Sequence, residues 1–554
     1  MRRDLSGRLA PFLHGAGACR AWSWPALSGV LLGLAFPTDP AGPLAFAFTS
    51  AWAWVALVPL LAILDGPRPP ATQARRRALG WAFRRGWVTG GIFTLITMYW
   101  VAGTQGGGVA VIGGTVLMAA YLGLFTGAFA AGQTLALRAL GSVGVLAAPF
   151  LWTAVEYLLS LGELGFPWLL LGHSQAGNPS LIQYAEYTGA YGVSFCIVLV
   201  NGLLYLAAAG SRSRRGRAVA AAAAAVCLSL PGLWGRAVLP PAAAPAVATG
   251  EGPVVGLVQN NLGLEKWGPG GLERAFASLE RLSRRAVDDD ADLLVWPETA
   301  LPCRPGQDRY CREWLQAVVD DLGVPVFTGA PDADLRLGER YNAAFLAQPG
   351  SAPLQRYAKM HLVPFGERTP FRDSIPLLRD IDWTALTGDL GPAEFTPGHQ
   401  RTLFSYEGGR FGALVCFESV FPDLVRRTVA GPEGLAPAGG ADFLVIVTND
   451  SWFGATAGPY QHARIAALRA VENRVPIARC ATSGISLFID AFGQPRGGTP
   501  LYEEAVRVAA LAPRCETTIY TRHGDLLAGT CLFASLALLA WCLWRPTAPL
   551  SRNA

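Results

Sequence analysis

The stretch Leu414-Val415-Cys416-Phe417-Glu418-Ser419 places a cysteine at the end of an apolar run, which is the pattern of a buried strand. The segment after it, Phe421–Val429, has a helical pattern, so we expect Cys416 at a strand-to-helix turn. Backbone N–H groups at the start of a helix favour the thiolate form of a cysteine in that position. The alternative is a buried cysteine that acts as a small hydrophobic residue, which is the commoner use of a free thiol.

Two other charged residues stand in comparable positions. The apolar run Leu293–Val295 leads into Trp296-Pro297-Glu298-Thr299, and a partly desolvated carboxylate just past a strand suits a general base. Lys359 lies inside the mixed run 356–367 and is one of only two lysines among 45 basic residues. Because arginine cannot replace a lysine that must fit a tight site, we favour a specific role for Lys359. The alternatives are a capping glutamate and a surface lysine.

Short apolar runs alternate with helical patterns throughout this half of the chain. This alternation predicts a layered α/β domain. The predicted strands are Val254–Gln259, Leu293–Trp296, Val324–Gly329, Phe411–Phe417, Phe443–Thr448, Ile477–Ala481 and Leu487–Ile489. The predicted helices are Leu272–Val287, Arg309–Asp321 and Gln461–Asn473.

The composition of the whole chain indicates a membrane part. Only 15% of the 554 residues are charged, against about 25% in an ordinary soluble domain, and 51% are hydrophobic. The mean hydropathy is +0.31, which excludes a disordered polar chain and argues against a wholly soluble one. The net charge of +5 does not suggest nucleic acid as a partner. Candidate spans of roughly bilayer length are Trp22–Phe36, Leu44–Leu64, Gly86–Val101, Val109–Leu137, Val143–Leu161, Gly189–Ala209, Ala218–Trp234 and Leu526–Trp544.

Arginines mark every second loop between these spans. They cluster before span one, between spans two and three, and between spans six and seven, whereas loops 38–43, 102–108 and 162–188 hold almost none. Basic loops stay in the cytoplasm, so the N-terminus is predicted to be cytoplasmic. We expect a seven-span membrane domain over 1–235, an exoplasmic catalytic domain over 236–525, and a C-terminal span with a cytoplasmic tail over 526–554.

A carboxylate, a lysine and a cysteine that each follow a strand resemble the Glu-Lys-Cys triad of the nitrilase superfamily. With seven spans before this domain and one after it, the whole chain is similar to the apolipoprotein N-acyltransferases. Phe417 departs from that pattern, because many members have tyrosine there. Further motifs that carry the resemblance are Val258-Gln259-Asn260-Asn261, Lys266-Trp267, Pro364–Glu367, Asn449–Gly454, Gln461-His462 and Gly165-Phe166-Pro167-Trp168.

The resemblance implies an α/β fold, in which a nitrilase-like αββα sandwich is joined to a multi-span helical membrane domain. It implies transfer of an acyl chain from a phospholipid, through a cysteine thioester, to the α-amino group of a diacylglyceryl-cysteine apolipoprotein. The protein is expected in the bacterial inner membrane as a monomer, with its catalytic domain on the periplasmic side and with no metal or cofactor. In that reaction Glu298 would be the general base, Lys359 the cation and Cys416 the nucleophile. The backbone N–H of Phe417 would donate a hydrogen bond to the oxyanion, Glu367 and Glu418 would orient Lys359 and Glu298, and Trp267 would contact the lipid.

Three alternatives stay open at this point. The triad alone also fits a membrane-tethered amidase or nitrile hydrolase. The segment 172–176 nearly spells the serine-hydrolase elbow G-x-S-x-G around Ser174, but Ala176 breaks it. A non-enzymatic scaffold or a transporter is the third alternative, although Glu156 is the main charge inside a predicted span, and transporters usually need more.

Two features near the predicted base and cation lead to separate hypotheses. Cys303 and Cys311 close a short loop in the exported domain, where either a disulfide or two free thiols are possible. The apolar-rich segment 367–395 is long for a connection and is either a lid on the bilayer surface or a permanent part of the core. In the lid hypothesis, Trp383 and Leu386 help to admit the acyl chain.

Overall fold

The computed structural model describes most of the chain. The described ranges are residues 18–36, 49–66, 75–210, 213–240, 252–350, 353–379, 394–431, 440–514 and 516–544. Trp383 and Leu386 of the lid hypothesis lie outside these ranges.

The N-terminal part is a bundle of helices, and one further helix returns to it from the C-terminus. The longer bundle helices are Ala18–Leu34, Val58–Leu64, Arg75–Thr97, Gly108–Leu140, Ala148–Leu159, Ala185–Tyr205, Arg214–Val238 and Leu526–Trp544. Within the described ranges, four helical runs are long and apolar enough to cross a membrane: Gly108–Leu159, Ala185–Ala209, Arg214–Val238 and Leu526–Trp544. Large apolar side chains point outward from these runs, such as Val109 at 84% and Phe533 at 75% exposure. Such a surface is stable in lipid rather than in water.

The eight predicted spans each overlap helical structure. The third, Gly86–Val101, overlaps the helix Arg75–Thr97 and a 3₁₀ turn at Tyr99–Gly103. A short apolar helical run, Ala51–Leu64, covers most of the second. The division into seven spans before the catalytic domain and one after it, with its boundaries at 235 and 525, remains a prediction.

The second part of the chain is a sandwich of two six-stranded sheets. The first sheet has the order β12-β1-β2-β3-β4-β5 and the second the order β11-β10-β9-β8-β7-β6. Strands β1 to β3 are parallel to one another, as are β7 to β9, and the outer strands pair antiparallel. Numbered in chain order, the strands are Val254–Gln259, Leu293–Val295, Val326–Asp334, Glu339–Ala347, Gln355–Ala358, Leu403–Tyr406, Gly409–Val415, Phe443–Thr448, Ile477–Ala481, Leu487–Ile489, Pro495–Arg496 and Ala505–Ala510.

Two pairs of helices cover the outer faces of the sandwich. Helices Gly271–Asp288 and Arg309–Leu322 bury apolar side chains against the first sheet. In the first of these, Ala275, Leu279, Leu282 and Ala286 recur at helical spacing and are fully buried. Helices Pro422–Ala430 and Ala457–Asn473 cover the second sheet. The predicted αββα architecture is therefore confirmed.

Helix Ala457–Asn473 also joins the sandwich to the helical bundle. Glu472 Oε1 accepts a hydrogen bond from the backbone N–H of Ala190 at 2.7 Å. At the other end of the same helix, Gln461 Oε1 accepts from the indole N–H groups of Trp168 at 2.9 Å and Trp100 at 3.3 Å. Because these polar groups are buried and paired, they fix where the sandwich rests on the bundle.

Candidate active site

The three predicted catalytic residues meet between the two sheets. Glu298 follows β2, Lys359 follows β5 and Cys416 follows β7, so the pairing of these strands brings distant residues to one place. All three side chains are buried. The Lys359 Nζ lies 3.5 Å from Glu298 Oε1, and the electrostatic influence of both residues reaches the Cys416 thiol.

Both oxygens of the Glu298 carboxylate are held by hydrogen-bond donors. Asn342 Nδ2 donates to Oε1 at 2.7 Å, and the backbone N–H of Asn449 donates to Oε2 at 2.7 Å. These donors fix the carboxylate in one orientation, as a general base requires. Asn342 also donates to Glu367 Oε1 at 2.9 Å, and thereby ties the two carboxylates together. The sequence analysis did not identify Asn342, because it lies on a strand that was not predicted.

Lys359 is a buried ammonium between two carboxylates. Its Nζ lies 2.9 Å from Glu367, and Glu367 in turn accepts from the backbone N–H of Val363 at 2.8 Å. Burial opposes the charge of Lys359, but Glu367 and then Glu298 outweigh it and raise the pKa of the ammonium. Lys359 therefore stays charged, and Glu367 contacts it as the sequence analysis expected.

Cys416 begins a 3₁₀ turn, Cys416–Val420, between the strand Gly409–Val415 and the α-helix Pro422–Ala430, which overlaps the predicted helix Phe421–Val429. The φ of Cys416 is +54°, in the left-handed region, which a residue other than glycine adopts only when the surrounding structure constrains it. Burial and then the Glu298 charge raise the pKa of the thiol, while Lys359 lowers it. The expectation that helix N–H groups favour the thiolate is thus wrong, because burial dominates. Glu298 is the charged group with the largest effect on the pKa of this buried thiol.

Glu418 organises the backbone around the site. Its Oε1 accepts from the Tyr357 hydroxyl at 2.7 Å and from the Met360 and His361 N–H groups at 2.7 and 3.1 Å. Its Oε2 accepts from the Val415 N–H at 2.8 Å. Glu418 therefore joins the segment that carries Lys359 to the strand that carries Cys416. It orients the backbone of both segments, whereas the sequence analysis expected it to orient side chains.

A buried network supports the other side of Cys416. The His462 Nε2 lies 3.1 Å from the Cys416 carbonyl oxygen, and its Nδ1 lies 2.9 Å from Asp450 Oδ1. Arg479 donates to Asp450 Oδ2 at 2.8 Å, and Thr448 donates to Oδ1 at 2.9 Å. Although burial opposes it, Arg479 and His462 hold the pKa of Asp450 well below its usual range. Asp450 and His462 belong to motifs that were noted in the sequence without a role, whereas Arg479 and Thr448 were not singled out there.

The same network bears on whether a metal could bind. The ligand atoms of Cys416, Asp450 and His462 lie within 4.8 Å of one another. However, the guanidinium of Arg479 already neutralises Asp450 and lies 3.1 Å from His462 Nδ1. A divalent cation at these atoms would have to displace the guanidinium of Arg479. That side chain is fully buried, so its charge would be left without a partner. The donor set is therefore better described as a support for the cysteine than as a metal centre.

Aromatic side chains from the helical bundle reach the cysteine turn. The Phe417 ring lies 5.6 Å from Phe166, and the His462 ring lies 5.2 Å from Trp168, measured between ring centroids. Phe166 and Trp168 come from the loop after helix Ala148–Leu159. The Phe417 side chain thus packs against the bundle, and no phenolic hydroxyl is needed at that position.

Trp267 lies beside the site and is half exposed. It borders a cavity of about 640 Å³, together with Leu272, Arg304, Arg340 and Phe395. Arg340 and Asn342 are two positions apart on β4, so they point to the same face of the sheet. Glu298, Lys359 and Cys416 are not among the described residues that line this cavity, and a lipid contact at Trp267 remains a prediction.

The disulfide hypothesis is confirmed, whereas the lid hypothesis stays a prediction. Cys303 and Cys311 are bridged, with their Cα atoms 6.1 Å apart. In the described part of the segment after Glu367, Leu377 is 72% exposed. The backbone N–H of Phe371 donates to Glu163, which lies in a loop of the helical bundle, at 2.7 Å. This segment therefore approaches the bundle. That position is compatible both with a lid and with permanent packing on the core.

Ser174 and Glu156 both have structural contacts. The Ser174 hydroxyl is buried and donates to the Leu171 carbonyl at 2.6 Å. Glu156 Oε1 accepts from the Trp152 indole and from the Leu171 N–H, each at 2.7 Å. The serine lies in a 3₁₀ turn of the bundle and not on a strand-turn-helix elbow, so the lipase alternative has no support.

The sandwich and its Glu-Lys-Cys cluster define the class of the second domain. Residues 255–526 match the family model described as carbon-nitrogen hydrolase, which is the nitrilase-type domain that the strand order indicates. An amidase from Nesterenkonia sp. of known structure is 21% identical, with a TM-score of 0.37 that covers 51% of this chain and 97% of the amidase. The strand topology and the family match define the class of this domain.

The whole chain has relatives of similar length. Residues 28–203 match the model of the apolipoprotein N-acyltransferase N-terminal domain. The apolipoprotein N-acyltransferase of Chlorobaculum tepidum is 33% identical over 93% of this chain and 96% of its own. The one of Geobacter metallireducens is 34% identical over 93% and 94%. The chain therefore belongs to the apolipoprotein N-acyltransferase family, and it is an acyltransferase of the membrane.

Proposed function

We propose that the protein transfers an acyl chain from a membrane phospholipid to the α-amino group of a diacylglyceryl-cysteine apolipoprotein, through a thioester on Cys416. One observation carries the choice of a lipid substrate. The cysteine turn touches the helical bundle directly, through Phe417 against Phe166 at 5.6 Å. A nucleophile at the junction of a polar sandwich and lipid-facing helices is well placed to take an acyl chain from the bilayer.

The first half-reaction forms the acyl-enzyme. Glu298 takes the proton from the Cys416 thiol, and the sulfur attacks the ester carbonyl of the phospholipid. The ammonium of Lys359 and the backbone N–H of Phe417 stabilise the oxyanion, and one such donor is worth about 3–4 kcal/mol. The carbon–oxygen bond then breaks, and Glu298 returns the proton to the leaving oxygen of the lysophospholipid. The products are the thioester and a neutral alcohol.

The second half-reaction uses the same groups in the same places. The lipoprotein amine attacks the thioester carbonyl, and Glu298 accepts the amine proton. The carbon–sulfur bond breaks, the new amide departs, and the proton from Glu298 restores the thiol. Because Lys359 keeps its charge throughout, it stabilises both tetrahedral intermediates without taking part in proton transfer.

The proposed reaction is tested by intact-mass analysis of the protein after incubation with phospholipid. We expect the mass to increase by one acyl group and to return to its original value when a lipopeptide with a free amine is added. A Cys416→Ala variant should show no increase. Acyl transfer to Cys416→Ala at the native rate would contradict the proposal.

A membrane-tethered amidase or nitrile hydrolase is the second candidate, since the Glu-Lys-Cys cluster alone would serve both reactions. The two candidates differ in what removes the acyl group. In a hydrolase, water releases a free acid at a rate that does not depend on the amine. In the proposed transferase, the acyl-enzyme persists in water and decays only when the lipopeptide amine is supplied.

We also propose that the catalytic domain, 236–525, lies on the periplasmic side of the bacterial inner membrane. Arginines lie in every second loop between the spans, and therefore on one side of the membrane, which supports this orientation. A membrane-impermeant protease added to spheroplasts should cleave this domain at exposed loops. Complete protection in intact spheroplasts, with cleavage after lysis, would reverse the orientation.

A further inference from the structure

The chain contains two lysines, and both are buried beside Glu298. Lys359 is 1% exposed and Lys266 is 2% exposed. The other 43 basic residues are arginines. Lys266 lies in a 3₁₀ turn, Leu264–Trp267, that follows β1. A buried ammonium costs free energy unless it is paired, so its presence calls for a function that the two half-reactions above do not include.

Lys266 holds the residue that follows the base. Its Nζ donates to Thr299 Oγ1 at 3.0 Å. Thr299 has a φ of +47°, which is an outlier for a β-branched residue and strains the backbone there. There is little room for the turn to relax, because a Cβ at Gly329 would come within 2.6 Å of the Glu298 Cα. The ammonium thus stabilises the strained turn that directs Glu298 towards Cys416.

Lys266 also contributes a positive charge near the base. The charges facing it are those of Glu298, across the strand ends, and of Glu265, on its own turn. Burial outweighs both carboxylates and lowers the pKa of Lys266 to about 8. Below about pH 8 the ammonium is therefore charged, and it adds to the positive potential that Lys359 already supplies at the Glu298 carboxylate.

We infer that Lys266 is a positioning residue for the base: its ammonium fixes the Thr299 turn and places a positive charge near the Glu298 carboxylate, the group that accepts the thiol proton. This inference rests on the proposed role of Glu298. It predicts two separable effects, one on the rate through the hydrogen bond to Thr299 and one on the pH profile through the charge.

The test measures how fast Cys416 is alkylated by iodoacetamide, and separately how fast it is acylated by phospholipid, between pH 5 and pH 9 in the purified full-length protein. In Lys266→Met we expect both rates at pH 6.5 to fall at least tenfold, with the acid limb of each profile about one pH unit higher, because a positive charge near the base is lost. Lys266→Arg retains the charge, so its limb should stay in the native position. Thr299→Val keeps the ammonium and loses the hydrogen bond, so its rates should fall without movement of the limb.

Arg274→Met is the matched control, because Arg274 binds the backbone oxygens of Pro269 and Glu265 in the same loop without reaching the base. It should leave both profiles unchanged. An unmoved acid limb in folded Lys266→Met, or native rates in Thr299→Val, would overturn the inference. If Lys266→Met does not fold, Lys266→Arg provides the test. A shift in the acid limb of its pH profile would also overturn the inference. Alkylation needs no lipid, so failure of the native protein to be acylated would count against the proposed function and leave this test intact.

Discussion

Replacing Glu298 by glutamine removes the base while preserving the shape of the side chain. Both carboxylate oxygens accept hydrogen bonds, from Asn342 Nδ2 and from the Asn449 N–H, each at 2.7 Å. A glutamine amide has only one oxygen, so one of these donors would face an N–H group. Leaving such a buried donor unsatisfied costs about 1–3 kcal/mol.

The loss of the base itself is the larger effect. General-base catalysis contributes typically 10²–10⁴-fold, and burial keeps the Cys416 thiol protonated because it raises the pKa of that group. The variant also loses one of the two carboxylates beside Lys359, 3.5 Å from its Nζ. We therefore expect acylation of Cys416 by phospholipid to slow by about 10³-fold or more in Glu298→Gln.

The assay is the time course of acyl-enzyme formation at pH 7, followed by intact mass. Glu273→Gln is the control, because Glu273 is an exposed glutamate on the helix Gly271–Asp288 and should leave the rate unchanged. Thermal unfolding of both variants shows whether the fold is retained. A folded Glu298→Gln protein that is acylated within tenfold of the native rate would refute the assignment of the base.

Three further predictions concern the groups around the base. Lys359→Arg should slow acylation at least 100-fold in single-turnover assays, because a guanidinium does not fit between two carboxylates in a buried site; a rate near native would remove the need for a compact cation. Asp450→Asn breaks a fully buried ion pair and should lower the free energy of unfolding by about 3–5 kcal/mol. Asp423→Asn breaks a partly exposed pair and should lower it by less than about 1 kcal/mol. Equal decreases in the unfolding temperatures of the two variants would contradict this prediction. Replacing Cys303 and Cys311 by serine should lower the unfolding temperature, since the bridge restrains the unfolded chain. Reductant should lower the unfolding temperature of the native protein but not that of the double variant. If reductant does not change the unfolding temperature of the native protein either, the bridge is absent.

Glu298 and Cys416 stood out in the sequence because each follows a strongly apolar strand, whereas Lys359 follows the mixed strand Gln355–Ala358 and stood out as one of only two lysines. The strands Val254–Gln259, Phe443–Thr448, Ile477–Ala481 and Leu487–Ile489 have the predicted bounds. Strand Glu339–Ala347 was missed, because it begins with charged and polar residues, and Asn342 was missed with it. The local hydrophobic pattern predicts strands that are buried on both faces. It does not predict a strand whose polar residues face the active site.

The Asp450, His462 and Arg479 network could not be predicted for a different reason. Its members come from three separate elements, and only the packing of helix Ala457–Asn473 on the second sheet brings them under Cys416. The protonation of the cysteine was likewise mispredicted, because burial depends on the tertiary fold and outweighs the local effect of backbone N–H groups.

The central claim is that one cysteine carries the acyl group from a phospholipid to an amine. The most direct measurement is a pulse and chase: the protein is loaded with phospholipid that has an isotope-labelled acyl chain, freed of lipid, and then mixed with a diacylglyceryl lipopeptide. We predict that the label moves from Cys416 to the α-amino group of the peptide, and that a peptide with an acetylated N-terminus leaves it on the protein. Release of the label as free fatty acid, at the same rate with either peptide, would contradict the account.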